Sequence, residues 1–193
     1  MAARWRIVFR AGSGALMACL VALMTTLVWA AAAGSGFQLI SLQAKTYTSS
    51  SSFPAASPEL VINHKTNQLS LNTAGNVHIT LLAGPKSNMM SFRVDELTNP
   101  EIRIAKGSRL TLNIVNVDDD MQHDFSITTP PPPYPAEAAA GAIVTPKLLP
   151  YKGRRYSGAV LILQAAAVGT AYYICSVPGH AHAGMYGKIT ILP

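Results

Sequence analysis

The stretch that decides the fold lies at residues 175–185, which read CSVPGHAHAGM. Cys175, His180 and Met185 place a thiol, an imidazole and a thioether at five-residue intervals. The proline and glycines between them are typical of a loop, and the residues on either side have the character of β-strands. Soft sulfur ligands combined with imidazole select copper among the available metals. The stretch therefore predicts a copper-binding loop between two strands.

A second imidazole is needed to complete such a site, and His123 is the candidate. A cysteine with two histidines in a trigonal plane and a long axial methionine is the arrangement of blue, or type 1, copper centres. His123 begins the alternating segment HDFSI, far enough upstream for another part of the fold to bring it beside the loop. We therefore predict that one copper ion has four ligands: His123, Cys175, His180 and Met185.

Outward from the loop, the chain alternates apolar and polar residues at the period of a half-buried strand. The four prolines at 130–133 end one such segment, and residues 134–158 are expected to be a long connection. No long stretch after the N-terminal region has a helical period. Many short strands separated by turn residues predict an all-β sandwich or barrel. The predicted strands cover residues 69–71, 77–81, 91–94, 101–104, 110–117, 123–127, 160–163, 171–175 and 187–192.

The length of 193 residues suits one ordinary domain with an appendage. We assign the copper-binding domain to residues 60–193. Residues 36–59 are biased towards serine and proline and have low hydrophobicity, which is typical of a spacer or a loosely attached arm.

Residues 1–35 are predicted to be a signal peptide or an N-terminal membrane anchor. Three arginines precede an uncharged apolar stretch at residues 11–33. This length is nearer to the roughly 20 residues of a spanning helix than to the roughly 7–15 of a signal-peptide core. The alanines at 30–33 would nevertheless suit cleavage. In both cases the arginines stay on the cytoplasmic side and the domain is delivered to the other face of the membrane.

The two cysteines of the chain are not expected to pair. Cys19 lies inside the apolar N-terminal stretch, so Cys175 is left as a single thiol outside the cytoplasm. A lone thiol in an oxidising compartment is unusual, and metal ligation accounts for it.

The formal net charge of +6 does not indicate nucleic-acid binding. The three N-terminal arginines supply half of it, and the remaining charges are scattered rather than arranged as the basic stripe that phosphate binding requires. We expect no nucleic-acid partner.

The loop resembles the copper loop of the rusticyanin family of blue copper proteins. The likeness is carried by residues 172–175, by His180 and by residues 185–189, and it extends upstream to about residue 60. The four-residue gap between Cys175 and His180 fits the family loop, so we interpret His182 as a surface residue. Upstream, the similar residues are Ser91, Phe92, Asn99, Pro100, Ile104, Gly107, His123, Phe125, Ile127, Pro132, Pro133 and Tyr134.

The resemblance implies a Greek-key cupredoxin β-sandwich with one type 1 copper that transfers single electrons outside the cytoplasm. The sequence departs from the family at Asp124, which follows His123 where the family has a small hydroxyl residue. An ionised carboxylate near the site should stabilise Cu(II) and lower the reduction potential.

The predicted function is an electron carrier and not an enzyme, because four protein ligands leave no open position for a substrate.

Expected partners are c-type cytochromes or a terminal oxidase, together with the membrane if the N-terminal helix is not cleaved. The expected location is the periplasm or the outer face of the cytoplasmic membrane. The docking surface around His180 is predicted to be bordered by Tyr134, the four prolines at residues 130–133, Val177 and Pro178. A copper storage or delivery protein is the alternative; a larger copper enzyme would need a second loop cysteine or histidine-rich clusters.

Overall fold

The computed structural model describes residues 34–153 and 155–193, which form a sandwich of two β-sheets. Apart from a 3-10 turn at Ser50–Ser52, the regular elements of these residues are strands, so the all-β prediction is confirmed. The strands are β1 (Phe37–Tyr47), β2 (Val61–Asn63), β3 (Gln68–Leu71), β4 (Asn76–Ala83), β5 (Phe92–Val94), β6 (Leu97–Thr98), β7 (Glu101–Ala105), β8 (Arg109–Asn116), β9 (Ser126–Thr128), β10 (Ile143–Val144), β11 (Tyr156–Ala165), β12 (Gly169–Ile174) and β13 (Tyr186–Leu192).

The order of the strands determines which loops meet. One sheet has the order β1-β11-β8-β4-β5-β6 and the other the order β10-β9-β12-β13-β7-β3-β2. Since β12 lies between β9 and β13, the loop that follows β12 lies beside the segment that precedes β9. That segment contains His123, so the topology brings the predicted fourth ligand to the copper-binding loop.

The core lies between the two sheets and follows from the alternation in the sequence. In β4, Val77, Ile79 and Leu81 are buried while the residues between them are exposed or half-buried. In β13, Ile189 and Ile191 alternate in the same way. Successive side chains of a strand point to opposite faces, and each aliphatic side chain buried stabilises the fold by about 1.5–3 kcal/mol.

The prediction of a spacer at residues 36–59 is wrong for its first part. Strand β1 pairs antiparallel with β11 from Phe37 opposite Ala165 to Tyr47 opposite Tyr156. Only the two ends of β1 are buried, and the residues between them are half-buried or exposed at the edge of the sheet. An edge strand of this kind has a weak apolar alternation, which is why the sequence pattern did not reveal it.

The predicted signal peptide or anchor falls almost entirely outside the described residues, which begin at residue 34. Within the part of the chain that the structure describes, no helix has the length and apolar character needed to cross a membrane.

Candidate metal centre

Three of the four predicted ligands converge. The Cys175 Sγ lies 3.4 Å from Nδ1 of His180 and 3.8 Å from Nδ1 of His123, and the two Nδ1 atoms are 3.2 Å apart. All three residues are buried. A point equidistant from these atoms lies about 2 Å from each, which is close to the length of metal–nitrogen and metal–sulfur bonds in proteins. The donor set therefore fits a single metal ion.

The copper loop, residues 175–185, is closed by hydrogen bonds between the backbones of its own predicted ligands. The N–H of Cys175 donates to the carbonyl of Met185, and the N–H of Met185 donates to the carbonyl of His180, each at 3.0 Å. Met185 is fully buried. Since β12 and β13 pair on either side of the loop, these bonds fix the three residues relative to one another.

His123 is held by a different segment. It lies in an isolated bridge with Leu148 rather than in a strand, because β9 begins only at Ser126. The His123 N–H donates to the Leu148 carbonyl at 3.1 Å, and the Leu148 N–H donates back at 2.7 Å. Gly84 packs against the ring with φ of +70°, and a Cβ atom there would overlap His123. Glycine is required at this position by both its conformation and its close approach.

A buried carboxylate that the sequence analysis did not identify orients the His123 ring. Oδ2 of Asp118 lies 3.1 Å from His123 Nε2, and both side chains are completely buried. Oδ1 of Asp118 accepts hydrogen bonds from the N–H groups of Asp120 and Met121 at 2.8 and 3.0 Å. A carboxylate on the outer nitrogen of a ligand histidine fixes the tautomer and leaves Nδ1 free to bind metal. This role has no signal in the sequence, because Asp118 is one of three consecutive aspartates at residues 118–120.

Burial favours the neutral forms of the Cys175 thiol and of the His123 and His180 imidazoles in the absence of metal. Burial raises the pKa of the Cys175 thiol to about 12. Burial also lowers the pKa of His123, against the effect of Asp118, and lowers the pKa of His180 with help from neighbouring His123. Burial of Asp118 opposes its ionisation, but the N–H donors of Met121 and Asp120 and the His123 ring outweigh it and lower the pKa. The two imidazoles are thus ready to bind, whereas Cys175 must lose a proton.

Asp124, which the sequence analysis placed near the site, is fully buried and tied to the copper loop. Its N–H donates to the Cys175 Sγ at 3.4 Å. Its carboxylate accepts hydrogen bonds from the Ser176 N–H at 2.5 Å and the Ser176 hydroxyl at 2.6 Å. The ammonium of Lys147 lies 2.6 Å from Oδ2 of Asp124. Lys147 was missed, since a single lysine in a long connection carries no sequence signal.

The ligands differ in their access to solvent. His180 is 6% exposed, whereas His123, Cys175 and Met185 are 0% exposed. His182 is exposed and lies outside the donor cluster; its Nδ1 is 2.9 Å from the carbonyl oxygen of Tyr134. The solvent-facing side of the centre is therefore the edge of His180.

Two of the residues predicted to border this side, Val177 and Tyr134, are buried. Val177 packs into the hydrophobic core and is only 9% exposed, whereas Pro178 is exposed. The N–H of Gly179 donates to the carbonyl of Ala136 at 2.7 Å, so the loop after the four prolines does lie against the copper loop. Tyr134 is buried, with its ring in edge contact with Tyr186.

A two-sheet β-sandwich that encloses a buried cysteine and two histidines, with a buried methionine on the same loop, defines the class of blue copper proteins, or cupredoxins. The comparison with known families agrees with this class. The model of copper-binding proteins of the plastocyanin/azurin family matches residues 79–192. The chain belongs to this family.

The relatives that match this chain belong to a narrower group within this family. The chain is 32% identical over 123 residues to rusticyanin from Acidithiobacillus ferrooxidans, a match that covers 60% of this chain and 63% of the relative. Rusticyanin from Acidithiobacillus ferridurans gives the same identity and the same coverage. The match therefore spans less than two thirds of the length of these relatives.

Solved structures of rusticyanin have the same fold. A crystal structure of a rusticyanin variant superposes with a TM-score of 0.63 and 28% identity, covering 69% of this chain and 86% of the other. Rusticyanin from Thiobacillus ferrooxidans gives a TM-score of 0.62 and 26% identity, covering 69% of this chain and 88% of the other. The protein is thus a rusticyanin-like blue copper protein, and its donor set fits one type 1 copper.

Proposed function

We propose that this protein is an extracytoplasmic electron carrier in which one type 1 copper cycles between Cu(I) and Cu(II). The observation that carries the proposal is the buried triangle formed by Cys175 Sγ and the Nδ1 atoms of His123 and His180. Further hydrogen bonds fix the backbone of Cys175, the backbone of His180, and both the backbone and the ring of His123. A donor set held in this way keeps nearly one geometry in both oxidation states, and a small rearrangement makes electron transfer fast.

In this proposal His123, Cys175 and His180 are the equatorial ligands and Met185 is the axial ligand. Met185 is buried, and its backbone bonds to both Cys175 and His180. A thioether is a soft, neutral donor and is the residue found at the long axial position of blue copper sites. When bound, the copper accepts and gives up single electrons, while the chain holds the ligands and excludes water.

The proposed role is that of a carrier rather than an enzyme. Four protein ligands fill the coordination sphere, whereas metal catalysis ordinarily needs an open position for substrate or water. The burial of all four proposed ligands, three of them completely, supports the role of a carrier, because a substrate would have no route to the metal.

The proposed location is the periplasm or the outer face of the cytoplasmic membrane, and the proposed partners are c-type cytochromes or a terminal oxidase. The three N-terminal arginines followed by an uncharged apolar stretch support export. The presence of rusticyanins among the relatives supports a place in electron transport.

Electrons are proposed to enter and leave at the edge of His180. Pro178 is exposed beside this ligand, so Pro178→Asp places a charge on the docking surface without entering the core. We expect slower reduction by a reduced c-type cytochrome in stopped-flow experiments, with an unchanged copper spectrum. Val168→Asp, at an exposed position outside the copper loop, is the matched control. Equal rates for wild type and Pro178→Asp would exclude this face.

The experiment that tests the proposed function is a titration of the full chain with Cu(II), followed by visible absorption and by the rate of electron exchange. We expect an intense blue thiolate-to-copper band that saturates at one copper per chain, and rapid, reversible reduction. A colourless product would show that the four residues do not form a type 1 site. Tight Cu(I) binding without reversible redox cycling would instead support copper storage or delivery.

A further inference from the structure

The ion pair between Lys147 and Asp124 lies beside the thiol ligand but contains none of the ligands. The Asp124 side chain is 1% exposed and the Lys147 side chain is 44% exposed, with 2.6 Å between Nζ and Oδ2. Asp124 also holds both the N–H and the hydroxyl of Ser176, the residue that follows Cys175. Lys147 therefore reaches from the surface to a carboxylate that contacts the copper loop.

The buried groups beside the ligands carry negative charge. Asp118 and Asp124 are both buried carboxylates, and metal binding converts Cys175 to a thiolate. The partner of Asp118 is the ligand His123 itself, and the pKa of that imidazole is lowered by burial. Among the ion pairs of residues 34–153 and 155–193, Lys147 supplies the one lysine or arginine cation that contacts either carboxylate.

We propose that Lys147 raises the reduction potential of the centre by holding a positive charge against Asp124. The inference rests on the proposed function as a one-copper carrier. Uptake of one electron makes the centre more negative by one charge, so a nearby cation stabilises the reduced state and a nearby carboxylate stabilises the oxidised state. Lys147 offsets the effect of the Asp124 carboxylate on the reduction potential.

Asp124 determines where the lysine charge is placed. A long lysine side chain that is nearly half exposed would extend into solvent, where its charge is screened. The buried carboxylate fixes the ammonium instead, at the depth where its field is less screened. Lys147 is thus a tuning residue that acts through Asp124, and its effect should depend on the carboxylate.

The test is the midpoint potential of the copper-loaded full chain, measured by titration against mediators of known potential. For Lys147→Met, which keeps the length of the side chain but removes the charge, we expect the equilibrium for electron uptake to shift about threefold to tenfold towards the oxidised protein. A tenfold shift corresponds to about 59 mV for a one-electron couple. Lys147→Arg should retain the wild-type potential, because it retains the cation.

Lys152→Met is the matched control, because Lys152 is an exposed lysine in the same connection and donates to the carbonyl of Asp119 at 3.0 Å rather than to a carboxylate. We expect its potential to equal that of wild type. In the Asp124→Asn background, Lys147→Met should have little further effect, since the amide no longer fixes the ammonium.

The outcomes separate this inference from the proposed function. A wild-type chain without a blue band would exclude the type 1 site itself. A blue Lys147→Met variant with the wild-type potential, or an equal shift in Lys152→Met, would overturn the inference alone. Loss of the blue band in Lys147→Met would also overturn it, because Lys147 would then hold the ligands in place rather than tune the potential. Equal effects of Lys147→Met with and without Asp124 would exclude the role of the ion pair.

Discussion

The two sides of the metal centre are built in different ways. The copper loop, residues 175–185, contains three of the four proposed ligands within one short segment, joined by their own backbone hydrogen bonds. The backing segment, residues 118–124, contains one ligand, His123, and two carboxylates that orient its surroundings. The loop reaches the surface at His180, which is 6% exposed, whereas His123 is 0% exposed.

The two segments therefore have different roles: the copper loop selects the metal, and the backing segment adjusts its affinity and reduction potential. The sulfur and imidazole donors of the copper loop select copper. The backing segment supplies the groups that fix ring orientation and charge: Asp118 on the outer nitrogen of His123, and Asp124 on Ser176. Changes in the loop should abolish the site, and changes in the backing segment should shift its affinity and potential while keeping its character.

The largest expected effect is that of Cys175→Ser in the copper loop. A serine hydroxyl cannot supply the thiolate, so the blue band should vanish at every copper concentration in the visible titration. The far-ultraviolet circular dichroism should remain that of a β-protein, because serine is close in size to cysteine. A blue copper-loaded Cys175→Ser protein would show that another group supplies the charge-transfer band.

A smaller effect is expected for Asp118→Asn in the backing segment. If the asparagine oxygen keeps the two backbone N–H donors, its amide nitrogen faces Nε2–H of His123, and two donors then oppose each other. Loss of such an outer partner typically lowers metal affinity about 10–100-fold. We expect that loss in a competition titration with a copper chelator, with the blue band retained at saturation.

Asp119→Asn is the control for this substitution, since it removes a neighbouring carboxylate that pairs with Lys86 near the surface. Its copper affinity should match that of wild type. Equal losses in Asp118→Asn and Asp119→Asn would mean that general charge, rather than the orientation of His123, sets the affinity.

The same contrast explains what the sequence could and could not predict. The copper loop was predicted because its donors are consecutive in the chain and their spacing carries the chemistry. His123 was found because the site needed a second imidazole. Asp118 and Lys147 could not be found in this way, because nothing in the neighbouring sequence distinguishes them from other aspartates and lysines. Only the fold brings Asp118 to His123 and Lys147 to Asp124.

The fold shows the same limit. Strands such as β4 and β13, whose side chains alternate between core and solvent, were predicted closely. Strand β1 lies within the predicted spacer, because an edge strand buried only at Phe37 and Tyr47 lacks that alternation. Strand β1 is ordered by its pairing with β11, which is more than 100 residues away in the chain and is not visible in the local sequence pattern.

The next prediction concerns the protons released when Cu(II) binds. Because burial raises the pKa of Cys175 to about 12, the thiol is protonated at neutral pH and must lose one proton to bind metal. Because burial lowers the pKa values of His123 and His180, both imidazoles are already neutral above pH ~7 and release none. Copper affinity should therefore rise about tenfold per pH unit between pH ~7.5 and ~9.

Calorimetry in buffers of different ionisation enthalpy measures the released protons directly. We expect one proton per copper, and it should come from the copper loop. Release of two protons would show that one of the two imidazoles is still protonated before copper binds, and would contradict the predicted pH dependence.

The smallest expected effect on the centre is that of Asn99→Ala, which weakens the attachment of the copper loop to the sandwich. Asn99 donates from Nδ2 to the carbonyl of Gly184 at 2.9 Å and accepts from the N–H of Phe92 at 2.8 Å, with φ of 48°. Losing both bonds and placing alanine in the left-handed region should cost about 2–4 kcal/mol of unfolding free energy in denaturant titrations. The blue band should persist but change its shape, because Gly184 precedes Met185, the proposed axial ligand.

Asn67→Ala provides the comparison, because Asn67 also has a positive φ, of 52°, and its side chain donates to the carbonyl of Thr98 rather than to the copper loop. Its stability should also fall, whereas its copper spectrum should equal that of wild type. If both variants leave the spectrum unchanged, the backbone bonds within the copper loop suffice to place Met185. If only Asn99→Ala alters it, the position of the axial ligand depends on a residue that lies outside both the loop and the backing segment.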